Sequence, residues 1–247
     1  MANHEFLEHT ALFNGVLPAV TRQLAGAALV HTYARGGTIW RVGDFPDELL
    51  IVKSGLVKLT RPAPRGRTSL CWLFGARAIL GELVLVNGVP YQNTAIAATQ
   101  TVSLLSIPRA LVLEAAHQDP ELALNLFRGF GEKFTALHDK IDVLSAGAVE
   151  ARLAILLAKL YTQFGDELED GTLRVGVSLS RQELADMVST SFETAIRVLA
   201  RWEREGLVRT DADGFTIGNL SRLEDLGAGA PPKAQVESSG ALVETLQ

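Results

Sequence analysis

Cysteine is nearly missing from this chain, with Cys71 its only example. A lone thiol excludes an internal disulfide framework, a four-cysteine zinc site and a cysteine-ligated iron–sulfur cluster. Histidine is scarce too, with five in 247 residues. His4, His9, His117 and His138 fall outside the strand-like region, and no His-x-His pair occurs. That argues against a cupin-like metalloenzyme, the enzyme alternative a β-barrel would raise. No catalytic residue, metal site or cofactor is expected. No uncharged apolar run reaches about 18 residues, so no membrane span is expected. The first ten residues lack a basic-then-apolar targeting pattern, and the expected compartment is the reducing cytoplasm. A net charge of −5 announces no nucleic-acid partner. The hydrophobic content of 47% is ample for a buried core and excludes a mainly disordered chain.

What is present falls into blocks. Over 33–107, Gly36, Gly37, Gly43, Gly55, Gly66, Gly75, Gly81 and Gly88 punctuate β-favouring runs such as Leu49–Val52, Leu56–Leu59, Ser69–Phe74 and Thr101–Ile107. Short strands with regular turn signals predict an all-β barrel or jelly roll. Cys71, inside Leu70-Cys-Trp-Leu-Phe74, is expected to be packing, and His31 a half-buried strand residue.

Helical spacing then takes over. Pro108 opens a short helix and Asp119-Pro120 a longer one. Phe127, Phe130, Phe134, Leu137, Ile141 and Leu144 are spaced 3, 4, 3, 4, 3, with polar flanks. This narrow a/d stripe predicts a two-stranded dimer seam, although a helix packed on its own barrel would also use apolar residues. Gly129 and Gly131 weaken that helix by roughly 1 kcal/mol each relative to alanine while permitting close approach or bending. Val149–Phe164 reads as another helix, Gly165–Gly171 as an acidic solvated loop, and 173–179 as a short strand.

The most specific stretch is Leu179 to Val208. Ser180 and Glu183 form a capping box, and Thr190 with Glu193 offers a second unless Ser191 is the cap. The first helix turns Leu184, Ala185 and Val188 inward, the second Ala195, Val198, Leu199 and Trp202. Asp211-Ala-Asp-Gly214 turns a hairpin behind them. Two capped helices and a hairpin make a winged helix-turn-helix, whose second helix enters the major groove. There Glu193 accepts from a cytosine amino group and Arg197, one turn on, grips the two acceptors of guanine. Ser191, Thr194 and Arg181 suit phosphates, and Arg201, with Arg209, belongs to the same basic face. The competing interpretation is a surface ion pair between Glu193 and Arg197 worth a few tenths of a kcal/mol. Residues 149–220 hold eight basic against twelve acidic side chains, so binding needs cations gathered on one face and is salt-sensitive.

Leu179-Ser-Arg-Gln-Glu-Leu-Ala, Ser191-Phe-Glu-Thr-Ala-Ile-Arg197, and the turns Gly43-Asp44, Gly55 and Gly81-Glu82-Leu83 resemble the Crp/Fnr transcription regulators over about residues 10–218. The resemblance implies an α+β chain: a β-roll (jelly roll) of the cyclic-nucleotide-binding type at 1–118, a dimerisation helix at 119–146 and a winged helix-turn-helix at 147–220, while the Gly-, Ala-, Pro- and Ser-rich composition of 221–247 reads as a flexible tail. It also implies a homodimer on double-stranded DNA with twofold half-sites about 34 Å apart, RNA polymerase as a further partner, and a small-molecule effector. The effector-pocket positions are Gly81, Glu82, Leu83, Gln92, Asn93, Leu137 and His138. Where members that bind cyclic AMP have Arg-Ser or Arg-Thr, this chain has Gln92-Asn93-Thr94, and Leu137 and His138 replace their adenine-contacting hydroxyls. No cation there neutralises a phosphate. The expected signal is therefore unidentified and not cyclic AMP, with a cyclic-nucleotide regulator of atypical pocket as the alternative. Phe192 replaces a further arginine of the cyclic-AMP type, which points to a TGA-like half-site core read by Glu193 and Arg197, with Phe192 near a thymine methyl or packed on its own domain.

Overall fold

A computed structural model describes residues 2–63, 67–211 and 214–228. The β-roll contains β1 (Leu29–Ala34), β2 (Thr38–Trp40), β3 (Glu48–Ser54), β4 (Val57–Ala63), β5 (Arg67–Phe74), β6 (Ile79–Leu80), β7 (Thr94–Ala97) and β8 (Thr101–Pro108). They form two four-stranded sheets, β1-β8-β3-β6 and β2-β7-β4-β5, with antiparallel pairing throughout. Successive strand residues point to opposite faces. Leu50, Val52, Val102 and Leu104 thus meet Trp40, Val57 and Leu59 inside the roll. Leu49, Ile51, Leu105 and Ile107 face the other way, into a helical layer. That layer explains why β3 and β8 read as continuous apolar runs.

The helical layer consists of α1 (Asn3–Glu8), a 3-10 turn at Ala11–Phe13, α2 (Pro18–Ala27), α4 (Arg109–Gln118) and the start of α5 (Pro120–Ser145); α3 (Glu82–Asn87) lies between β6 and β7. Neither α1 nor α2 has a side-chain cap. Burial of Phe6, Leu7, Leu12, Phe13 and Leu24 holds them instead. They are too short for periodicity to announce, and sequence reading missed them. Gly81, the N-cap of α3, has φ +74°, and a Cβ there would stand 2.7 Å from the Tyr91 ring.

Then come α6 (Val149–Phe164), β9 (Gly165–Glu167), β10 (Leu173–Val175), α7 (Arg181–Met187), α8 (Phe192–Arg204), β11 (Val208–Asp211), β12 (Gly214–Ile217) and α9 (Leu220–Ala228). The sheet runs β11-β12-β10-β9. Its core gathers Leu153, Leu157, Leu160, Leu184, Leu199, Trp202, Phe215 and Leu223. Two expectations are corrected. The acidic segment at 165–171 is not wholly loop, because Gly165–Glu167 pairs with β10 as an edge strand whose carboxylates face water. The tail expected at 221–247 begins as helix α9. Asn219 accepts from the Arg222 amide at 2.9 Å, and Leu223 and Gly227 bury against the core and Ile155. The rest of that tail, 229–247, and the middle of the Asp-Gly turn lie outside the described residues.

Candidate nucleic-acid interface

The Ser180 hydroxyl accepts from the Glu183 amide at 3.1 Å, and Glu183 accepts from the Ser180 amide at 2.8 Å, completing the capping box of α7. For α8 the cap is Ser191, not Thr190; its hydroxyl accepts from the Thr194 amide at 3.2 Å. Ala195, Val198, Leu199 and Trp202 bury one side of α8, and Trp202 donates through Nε1 to Glu150 at 3.1 Å. The opposite side therefore faces out. Phe192 is 41% exposed, and Glu193 and Arg197 are exposed one turn apart. Among the described residues neither Glu193 nor Arg197 has a hydrogen-bond or ion-pair partner, so the competing surface pair does not form. An acid in the first turn also complements the helix dipole.

The basic face is smaller than expected. Arg201 is drawn back to Glu150, with Glu205 at 4.0 Å, and is not gathered with Arg197. The cause is the side of α8 on which it emerges, against the start of α6. Arg181 lies 3.6 Å from Glu203 and lines a cleft toward the β-roll. Partly exposed as both are, that pair is worth little and leaves Arg181 able to turn. Arg209 is exposed on β11.

Sequence reading missed a contact from the β-roll. Lys58 of β4 donates to Glu183 of α7 at 2.6 Å, with both side chains largely buried. Burial alone would raise the Glu183 pKa; the Lys58 ammonium and the Ser180 donors outweigh it and hold the carboxyl below the ordinary glutamate range. A depressed carboxylate stabilises the fold above its unfolded pKa and loses that contribution as pH falls through the folded value. Lys58→Met is expected to flatten the acid side of the stability curve, read as melting temperature from neutral pH to below the glutamate range. An unchanged slope would show that the pair contributes nothing.

The effector positions are dispersed. Glu82, 1% exposed, is ion-paired with Lys133 of α5, a partner the sequence reading did not name. Leu83 is exposed. The Gln92 amide donates to Pro90 at 3.1 Å, and Asn93 accepts from Trp40 at 3.0 Å through its carbonyl. Trp40 in turn stacks on Tyr91, with centroids 4.3 Å apart. Leu137 and His138 are exposed on α5 and do not join this group. On the same helix Phe127, Phe134, Leu137 and Ile141 are exposed, at 71%, 63%, 44% and 53%, while Phe130 and Leu144 are half-buried. Cys71 is half-buried, its thiol pKa pushed up by burial, with Lys140 and Arg61 opposing. Among the described residues, no group of three His, Cys, Asp or Glu could hold a metal ion, and no helix is long and apolar enough to cross a membrane.

A β-roll carried on a long helix and followed by a winged helix-turn-helix is the architecture of a class of DNA-binding regulator. The cyclic nucleotide-binding domain model matches residues 30–119, and the Crp-like helix-turn-helix domain model matches 151–226. A CRP-like cAMP-activated global transcriptional regulator of Mycobacterium tuberculosis is 30% identical over 219 residues, covering 89% of this chain and 97% of that one. A global nitrogen regulator of Synechocystis is 28% identical over 207 residues, covering 82% and 92%. A solved CRP-family transcriptional regulator of Thermus thermophilus superposes with TM-score 0.66 at 28% identity, covering 81% of this chain and 97% of that one. This chain belongs to the Crp/Fnr family of transcription regulators, and its helix-turn-helix is a DNA-binding domain.

Proposed function

We propose that the chain works as a cytoplasmic homodimer that reads a twofold-symmetric operator with a TGA-like half-site core, under control of a signal sensed by the β-roll. The observation that carries this reading is the pair Glu193 and Arg197, exposed and unpartnered on a capped helix whose other side is fully buried. Glu193 accepts from cytosine and Arg197 forks onto guanine. Phe192 lies toward a thymine methyl, and Ser191, Thr194 and Arg181 fix register on phosphates. The exposed α5 stripe pairs with its copy, and RNA polymerase is the further protein partner. Cyclic AMP is not the signal, since Gln92 and Asn93 are neutral and already engaged. One observation favours a cyclic-nucleotide reading: Glu82 Oε2 is buried without a hydrogen-bond partner. Calorimetry with cyclic AMP separates the two.

Arg197→Ala is expected to cost about 1–3 kcal/mol of specific affinity and to relax the choice of base at one position per half-site. A gel shift against operators selected from a random pool measures it. Unchanged specific affinity would sink the assignment.

A further inference from the structure

A cavity of about 380 Å³ opens where three parts of the chain meet: β5 of the roll, the inner side of α5, and α6 with α7 of the DNA-binding domain. Its walls are apolar, with Trp72 and Phe74 from β5, and Leu156, Phe164 and Met187 opposite. Four cations line it, Arg77, Lys133, Lys140 and Lys159, against two carboxylates, Glu82 and Glu132. The local excess is positive in a chain whose net charge is −5.

The cations are not equivalent. Glu82 neutralises Lys133, which also donates to the Ile79 carbonyl at 3.0 Å. Lys140 donates to the Cys71 carbonyl at 3.2 Å and lies over the Trp72 ring, 5.7 Å from its centroid. Among the described residues no carboxylate pairs with it. Arg77 is held at φ +69°, rare for a residue with a side chain, and its guanidinium has no partner among the described residues. An ammonium and a guanidinium awaiting an anion, beside aromatic and aliphatic walls, match a molecule with one negative group and an apolar body. The volume holds roughly a dozen non-hydrogen atoms at about 30 Å³ each.

We propose that this cavity binds a small amphipathic carboxylate, its anionic head on Lys140 and its alkyl or aryl body between Trp72 and Leu156. The cavity shares Glu82 with the effector positions, but Gln92, Asn93, Leu137 and His138 do not line it. An occupant touches the roll, α5 and the DNA-binding domain together. It therefore favours whichever arrangement of the three closes around it. That second step rests on the DNA-regulator reading; binding itself does not.

The test uses the full chain and decanoate, about a dozen non-hydrogen atoms, followed by calorimetry and tryptophan fluorescence. Saturable binding at one decanoate per chain is expected, weakened roughly tenfold or more in Lys140→Met by loss of one charge-assisted bond. Leu156→Trp fills the space and abolishes binding. Decanol binds more weakly than decanoate, and cyclic AMP does not compete. Melting curves establish that both variants fold. No saturable binding, equal binding of decanol, or decanoate affinity unchanged in a folded variant overturns the site. Operator affinity is measured with and without decanoate. Decanoate bound without effect on a protein that reads its operator overturns the control step alone. Decanoate bound by a protein that reads no operator overturns the DNA reading and leaves the site standing.

Discussion

Replacing Phe134 and Ile141 together by glutamate is expected to leave each chain folded and to abolish the proposed dimer. Both side chains are more than half exposed in the single chain, so their loss removes little packing there, and surface changes of this kind usually stay within about 0.5 kcal/mol. In a paired helix the same side chains bury twice, once from each copy. Burial of a phenylalanine or isoleucine is worth about 1.5–3 kcal/mol, so four such groups supply roughly 6–12 kcal/mol of the association. Glutamates facing one another across a seam add repulsion instead. Sedimentation velocity reads the outcome: a dimer for the natural chain, a monomer of unchanged melting temperature for the variant, and operator affinity reduced by orders of magnitude because one half-site is read alone. A variant that remains dimeric would move the twofold contact elsewhere. Gly129 lies toward Glu82, a Cβ there standing 3.9 Å from its Oε1, whereas Gly131 faces open space. At that distance a Cβ makes only ordinary contact, so packing within this chain requires neither glycine.

How far the sequence was readable follows from the range of each interaction. The capping box at Ser180 and Glu183, the buried side of α8 and the bounds of α6 are set within one or two turns of chain, so spacing revealed them. The apolar stripe along α5 was visible for the same reason. Thr190 and Ser191 were not separable, since either hydroxyl has a donor in reach and only geometry selects the cap. The helices α1, α2 and α9 escaped because their stability comes from burial against distant elements and their own periods are short. The ion pairs Lys58–Glu183 and Lys133–Glu82 join residues on different elements, and no local pattern announces them. Arg201 shows the opposite failure. Its sequence position, one turn after Arg197, put it on the reading face, but Glu150 captures it from a helix some fifty residues earlier. The effector positions inherited from the family scattered because Leu137 and His138 point outward from α5 while Gln92 and Asn93 are tied to their own loop.

Trp202→Ala is expected to remove DNA binding without touching a single group that faces the DNA. The indole is fully buried in the core of the DNA-binding domain, and its Nε1 donates to Glu150. Two effects compete for importance. Emptying a large aromatic site costs about 3–5 kcal/mol, whereas one hydrogen bond contributes about 0.5–1.5 kcal/mol, or up to 3 when the acceptor is charged. Glu150 keeps Arg201 when the indole leaves, so the stranded-charge penalty is small and the cavity dominates. Against a typical stability of 5–15 kcal/mol, the alanine variant removes a large fraction, and α8 is the element that loses its seat. Trp202→Phe retains most of the volume and loses only the donor, so about 1 kcal/mol is expected. Hydrogen exchange distinguishes the cases: in the alanine variant the amides of α6, α7 and α8 exchange faster while those of β3 and β8 keep their protection, and the phenylalanine variant stays close to the natural chain. If phenylalanine proves as damaging as alanine, the bond to Glu150, rather than the filled volume, is what holds the recognition helix against α6.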